Sequence, residues 1–114
     1  MAEAENLRAA VASRLRAARE NAGLSQGQVA RMLDLQRPTI SEIEAGRRRV
    51  YAEELPRFAE IYDVSPSWLT TGESEIADPS FELAARELKK LKKEDLERVF
   101  QLLKTLRKAE KKNT

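Results

Sequence analysis

The sequence predicts an all-α protein, a domain of five short helices followed by a helical extension. Three observations lead there. Apolar residues recur three and four positions apart, the period of a helix face, rather than alternating as in a strand. Capping residues bracket these segments. All four prolines (Pro38, Pro56, Pro66, Pro79) fall where a first helical turn tolerates them.

The first helix carries Leu7, Val11, Leu15 and Ala18 on one stripe and ends at "NAGL", where Gly23 suits a left-handed cap. In "LSQGQVARML", Ser25 and Gln28 form a capping box, and Val29, Ala30, Met32 and Leu33 give a second helix its apolar face. Residues Asp34 to Gln36 connect to "RPTISEIEAG". With Gln36 as N-cap, Arg37 is the first helical residue and Pro38 the second, where a missing N–H costs nothing. Ile40 and Ile43 face inward and Gly46 ends this third helix. "EELPRFAEIY" predicts a fourth helix from near Glu53, with Glu53 and Glu54 at its positive dipole end and Leu55, Phe58, Ala59 and Tyr62 inward. "VSPSWLTTG" predicts a fifth, with Ser65 as N-cap, Pro66 first and Gly72 as stop.

Residues 73–78, "ESEIAD", read as a linker between a domain at 1–72 and an extension at 79–114. The extension has stripes at Phe81, Ala84, Leu88, Leu91 and at Leu96, Val99, Leu103, Leu106, out of phase by one five-residue step. That slip predicts two helices with a turn near Lys92–Glu94 and a fraying tail, "RKAEKKNT".

Composition narrows the chemistry. With 114 residues and 41% apolar, the chain holds one domain and an extension, with enough apolar material for a core. Cysteine and histidine are absent, which excludes disulfides, thiol nucleophiles, imidazole catalysis and the usual zinc ligand sets. No apolar run approaches the roughly 18 residues of a membrane span, and the start shows no signal-peptide pattern, so a soluble, cytoplasmic protein is expected. The net charge is +2: residues 1–72 carry 10 basic and 10 acidic side chains, and residues 73–114 carry 11 and 9. Bulk charge therefore does not announce a nucleic-acid partner; only the placement of charges can. No enzyme, metal or cofactor is expected, since neither a glycine-rich phosphate loop nor a serine–lysine module is present.

From Leu15 to Gly72 the chain resembles the Xre family, the five-helix helix-turn-helix domain of lambda-repressor and Cro type. The residues that carry the resemblance are "RLRAARENAGLSQGQVARMLDLQRPTISEIEAGRRR" and "LPRFAEIYDVSPSWLTTG". Within the motif, Gln26, Val29, Ala30, Leu33, Leu35, Ile40 and Ile43 match the pattern. Ala30 is small where the two helices cross closely, and Val29, Ile40 and Ile43 form the seam that sets their angle. One position departs: the turn residue usually glycine is Asp34, which tolerates the left-handed conformation better than most residues. The resemblance also implies that Arg19, late in helix 1, pairs with Glu44, ending helix 3.

The resemblance implies that the third helix enters the major groove of DNA. Its projecting residues, Gln36, Arg37, Pro38, Thr39, Ser41 and Glu42, are the expected base readers. Arg37 suits guanine O6 and N7, Glu42 suits cytosine N4, and Pro38 or Thr39 suits a thymine methyl. Ser25 and Gln26, opening helix 2, and Arg47, Arg48 and Arg49, after helix 3, are the expected phosphate contacts. An arginine run is also consistent with a solvated loop, Glu42 with a solvated helix charge, and Arg8, Arg14 and Arg16 with a solvated face. Trp68 reads as core packing. Val50 and Tyr51 fit either a DNA contact or a loop-shaping role.

Phe81, Leu88, Leu91, Leu96, Val99, Phe100, Leu103 and Leu106 leave the extension too apolar on one side to stand alone. Two-fold dimerisation is expected, which would space two recognition helices about 34 Å apart on a palindromic operator. The chain thus reads as a dimeric, sequence-specific transcriptional regulator, most simply a repressor. The alternative is an antitoxin-like or protease- or kinase-partnered interaction protein whose C-terminal helices hold another protein, with DNA binding for autoregulation.

Overall fold

Twenty residues, Ala2–Asn21, form the first helix, α1. The computed structural model describes residues 2–73 and 78–113; most of the expected linker, residues 74–77, lies outside the described residues. Six further helices follow among those residues: α2 (Gln26–Leu33), α3 (Arg37–Glu44), α4 (Leu55–Tyr62), α5 (Pro66–Thr71), α6 (Pro79–Lys89) and α7 (Lys93–Asn113), with no strand. The chain divides into two compact units, residues 1–75 and 76–114.

In the first unit, α1 packs on α3, α4 and α5, and α2 packs on α3. The core is built from Leu15, Val29, Ile40, Ile43, Phe58 and Leu69, all but sealed from solvent, with Tyr62 beside them. Val11, Leu24, Leu35 and Trp68 pack against it from the edge. Two apolar residues leave the faces expected of them. Leu7 is 63% exposed, because α1 contacts the core through Ala12, Leu15 and Ala18; Met32 is 53% exposed, because Val29, Ala30 and Leu33 fill the α2 contact.

Local chemistry sets the helix ends. Ser25 Oγ accepts the Gln28 amide at 3.1 Å while Gln28 Oε1 accepts the Ser25 amide at 2.8 Å, the reciprocal box that satisfies two first-turn donors. The α2 helix stops at Asp34, which adopts φ 56° and ψ 45°, so that the Leu35 amide reaches Ala30 O at 2.8 Å. Asp63 stops α4 in the same way at φ 55°, with the Val64 amide on Ala59 O. Each aspartate is followed by an apolar residue that turns back onto the core. Pro38 sits second in α3, behind the N-cap Gln36, and Pro66 opens α5 behind Ser65, whose hydroxyl accepts the Trp68 amide.

The α4 helix begins at Leu55 rather than near Glu53. Glu54 is recruited elsewhere: its Oε1 accepts the Tyr51 amide at 2.9 Å, which holds residues 52–54 in a turn. Arg14 is half-buried rather than solvent-facing, and Arg57, though exposed, is also tied to the backbone. Arg14 Nη1 donates to Thr70 O at 3.0 Å and Leu69 O at 3.3 Å, and Arg57 Nη2 donates to Leu33 O at 2.9 Å. Both satisfy carbonyls that a helix C-terminus leaves without partners. A Cβ at Gly72, where φ is +77°, would stand 2.8 Å from Arg14 Nη2, so a larger residue there would push this flexible guanidinium aside. Of the arginines expected on a solvated face of α1, Arg16 is exposed and pairs with Glu20.

Beside the core lies a part-buried ion pair. Arg19 Nε donates to Glu44 Oε2 at 2.7 Å and Nη2 to Oε1 at 3.0 Å, with side chains only 13% and 4% exposed. Arg19 Nη1 also donates to Leu24 O at 2.8 Å. The carboxylate raises the Arg19 pKa above its ordinary value against the opposing effect of burial. Tyr62 is raised as well, first by burial and then by the Glu44 charge, and its hydroxyl has no hydrogen-bond partner.

In the second unit, Asp78 caps α6 by accepting the Ser80 amide at 2.9 Å. The two helices break at residues 90–92, slightly before the expected position, and α7 spans Lys93–Asn113. Leu88, Leu96 and Val99 are half-buried; Phe81, Leu91, Phe100, Leu103 and Leu106 are exposed.

Removing one partner of a buried pair leaves the other charge uncompensated. Arg19→Ala is therefore expected to lower the unfolding free energy by about 3–5 kcal/mol, read by urea denaturation. An unchanged urea midpoint would show that the pair contributes nothing to stability.

Candidate nucleic-acid interface

The α3 helix is only eight residues long, and an isolated helix of that length does not persist in water. Its position comes from what it buries. Ile40 and Ile43 are sealed in the core and Glu44 is held by Arg19, so one side faces inward along the whole length. The opposite side carries Arg37, Pro38, Ser41 and Glu42. Gln36, Arg37 and Pro38 are exposed; Thr39, Ser41 and Glu42 are half-buried. Gln36 makes no side-chain cap to α3, so the first-turn amides have no side-chain acceptor.

The residues expected to hold phosphate have different degrees of freedom. Ser25 Oγ is engaged by the Gln28 amide, and Gln26 Nε2 donates to Glu44 Oε1 at 3.2 Å. Both side chains turn back on the protein and the Gln28 amide is taken by Ser25, so the α2 donors left without an acceptor among the described residues are the Gln26 and Gly27 amides.

The three consecutive arginines are not equivalent. Arg48 is bound within its loop: Nη1 and Nη2 donate to the two Glu54 oxygens at 2.8 and 3.1 Å, and Nη1 also donates to Arg49 O at 3.0 Å. Its guanidinium lies 4.8 Å from the Tyr51 ring centroid. Tyr51 is thereby part of the loop's own packing. Arg47 forms an exposed two-pronged pair with Glu42, at 2.7 and 3.1 Å. That hydrogen-bonded guanidinium holds the Glu42 carboxyl below its ordinary value, as Arg48 does for Glu54. Arg49 is exposed and makes no ion pair among the described residues. The outward charge next to α3 is thus carried by Arg37 and Arg49, with Arg47 balanced by Glu42.

Sequence reasoning missed the Arg48–Glu54–Tyr51 arrangement and the carbonyl caps made by Arg14 and Arg57. Six residues across a loop, or 24 and 55 residues between helices, leave no periodic trace. Among the described residues, no group of acidic side chains could hold a metal ion, and no helix is long and apolar enough to cross a membrane.

Comparison with known proteins places this geometry. A family model described as a helix-turn-helix domain matches residues 10–70. The crystal structure of a hypothetical transcription factor, NHTF, from Neisseria is similar, with 28% identity over 69% of this chain and 84% of that one, at a TM-score of 0.54. A transcriptional regulator from Listeria innocua has a similar fold, with 23% identity over 87% of this chain and 94% of its own, at a TM-score of 0.51. No curated protein matches the sequence.

The Arg48–Glu54 pair carries a pH signature. The folded Glu54 pKa lies below its ordinary 4.5, so the pair's contribution is complete above that value and is lost as pH falls through the depressed one. Glu54→Gln should cost about 1.5 kcal/mol near neutral pH, read by denaturant titration, and the gap to wild type should narrow in acid. A gap that stays constant down to the acid limit of folding would contradict the pairing.

Proposed function

The chain belongs to the helix-turn-helix domain family, and from that membership we propose that it is a sequence-specific, double-stranded DNA-binding regulator of transcription. It binds a palindromic operator as a homodimer, with α3 in the major groove, and represses by occluding a promoter. The observation that carries this reading is the two-sidedness of α3. One face is locked by Ile40, Ile43 and Glu44, while Gln36, Arg37 and Pro38 stand exposed at its start. A helix that enters a groove must be rigid on one side and available on the other, and recognition helices read bases with their N-terminal residues.

In this reading Arg37 is the principal base reader, in a two-bonded contact to guanine, with Pro38, Thr39, Ser41 and Gln36 completing the surface. Arg49 and the first-turn amides of α2 hold phosphates, Arg47 joins them on leaving Glu42, and Arg48 shapes the loop that presents both. The exposed apolar residues of α6 and α7, from Phe81 to Leu106, supply the two-fold contact. That same exposed face favours a second reading, in which these helices hold a different protein and DNA binding serves autoregulation.

Selection of bound duplexes from a random pool tests the proposal and should return an inverted repeat with half-sites about one helical turn apart. Arg37→Ala should cost about 1–3 kcal/mol of binding and relax one base position, whereas Arg49→Ala should weaken all sequences alike and lower the salt slope by about one. Wild-type selectivity in Arg37→Ala, or no enrichment from the pool, would reject the reading.

Deletion of residues 79–114 should give a monomer, by sedimentation, with much weaker operator binding. A truncated protein that remains dimeric would reject the assignment of α6 and α7. A monomeric full chain that co-purifies with a second protein through these helices would favour the alternative.

A further inference from the structure

A cavity of about 360 Å³ lies where the N-terminal half of α1 meets the loop that follows α3. It shares only Arg49 with the proposed DNA surface. Leu7, Val11, Val50 and Leu55 line it, together with Ile43, the last apolar residue of α3. Ala4, Ala12 and Thr70 complete the wall, and its charged side chains, Arg8, Arg48 and Arg49, are all cationic. Arg48 is neutralised by Glu54. Neither Arg8 nor Arg49 makes an ion pair among the described residues, and Arg8 Nε is buried with no hydrogen-bond partner.

These features define a ligand class. Arg8 and Arg49, with no ion-pair partner among the described residues, can each offer charge-assisted donors to a carboxylate. Sites for small molecules begin at about 300 Å³ and combine apolar walls with a few polar anchors. A bare inorganic anion would satisfy the arginines and leave the apolar walls unfilled; an uncharged hydrocarbon would do the reverse. The cavity also explains why Leu7, off the core contact of α1, is apolar.

We propose that this cavity binds a small monocarboxylate with an apolar body and that the ligand controls the DNA surface. Its carboxylate is held by Arg8 and Arg49, and its chain lies against Leu7, Val11, Val50 and Leu55. Arg49 is shared between this site and the phosphate contact, so the ligand and DNA compete for one guanidinium. Ligand binding therefore weakens DNA binding, and DNA weakens ligand binding by the same factor. The site stands without the DNA-binding reading; only its regulatory effect rests on it.

The full chain, titrated with octanoate below its micellar range and followed by amide NMR shifts, tests the site. The expected result is shifts at Leu7, Arg8, Val50 and Thr70, with 1-octanol binding about tenfold more weakly for want of the charge. Arg8→Gln should lose about tenfold in octanoate affinity, and Leu7→Trp, which fills the cavity from an exposed position, should lose binding while the far-UV spectrum is kept. No shifts, shifts confined to α6 and α7, equal binding of octanol, or full octanoate affinity in a folded Leu7→Trp would each overturn the site. Saturating octanoate should then weaken binding to a selected duplex several-fold and lower its salt slope. Unchanged DNA binding with octanoate seated would overturn the regulatory half. A protein that takes octanoate but no DNA would support the site and reject the DNA-binding reading.

Discussion

Three elements converge on the Glu44 carboxylate. Arg19 from the end of α1 and Gln26 from the start of α2 both donate to it, and Glu44 itself is the last residue of α3. Ile40 and Ile43 fix the depth of α3, but two apolar contacts on a helix of eight residues leave its rotation loosely defined. The carboxylate, 4% exposed and triply hydrogen-bonded, removes that freedom. Replacing such a pair by apolar side chains often leaves stability unchanged or higher, so stability alone is a weak account of it. Orientation is the better one: the pair joins the two ends of the helix-turn-helix unit to the scaffold and sets which residues of α3 face outward.

All ten basic side chains of residues 1–72 are arginine. The structure gives a physical reason. Arg14, Arg19, Arg48 and Arg57 each donate to a backbone carbonyl, and Arg19 and Arg48 grip a carboxylate with two nitrogens at the same time. A lysine ammonium offers no planar fork and cannot make both contacts in this geometry. Four of the domain's ten positive charges are thereby spent on organising loops and helix ends. A net charge of zero for this segment conceals a small outward set, Arg37 and Arg49 beside α3, that is free to meet an anion.

What was legible in the sequence follows from the range of the forces involved. Ser25, Gln28, Asp34, Pro38 and Ser65 act within four residues of themselves, and each stands where its local chemistry places it. The all-helical class followed from spacing, caps and proline positions, and the two-helix extension from a single phase slip. Asp63 repeats the Asp34 geometry and went unread, because nothing local distinguishes a left-handed aspartate from an ordinary one. Leu7 and Met32 carry the right period yet lie outside the core, since a stripe says which residues share a side and not how far a neighbour extends along it. The start of α4 was misplaced because Glu54 answers to Arg48 and Tyr51 rather than to the dipole of its own helix. Arg14 and Arg57 cap distant helices, which only the folded arrangement decides.

The pairing of Glu42 with Arg47 has a consequence for how the protein would search a genome. The two side chains form a pre-assembled counter-ion couple on the surface proposed to face the duplex. To reach a phosphate, Arg47 must exchange one anion for another, a trade with little net gain, and the abandoned carboxylate is then left against a polyanion. On a random stretch of duplex nothing would compensate that repulsion, so the protein would dissociate and resume diffusion. At a cognate half-site a cytosine amino group would donate to Glu42. The couple would then act as a discriminator, raising selectivity by penalising wrong sequences instead of strengthening the right one.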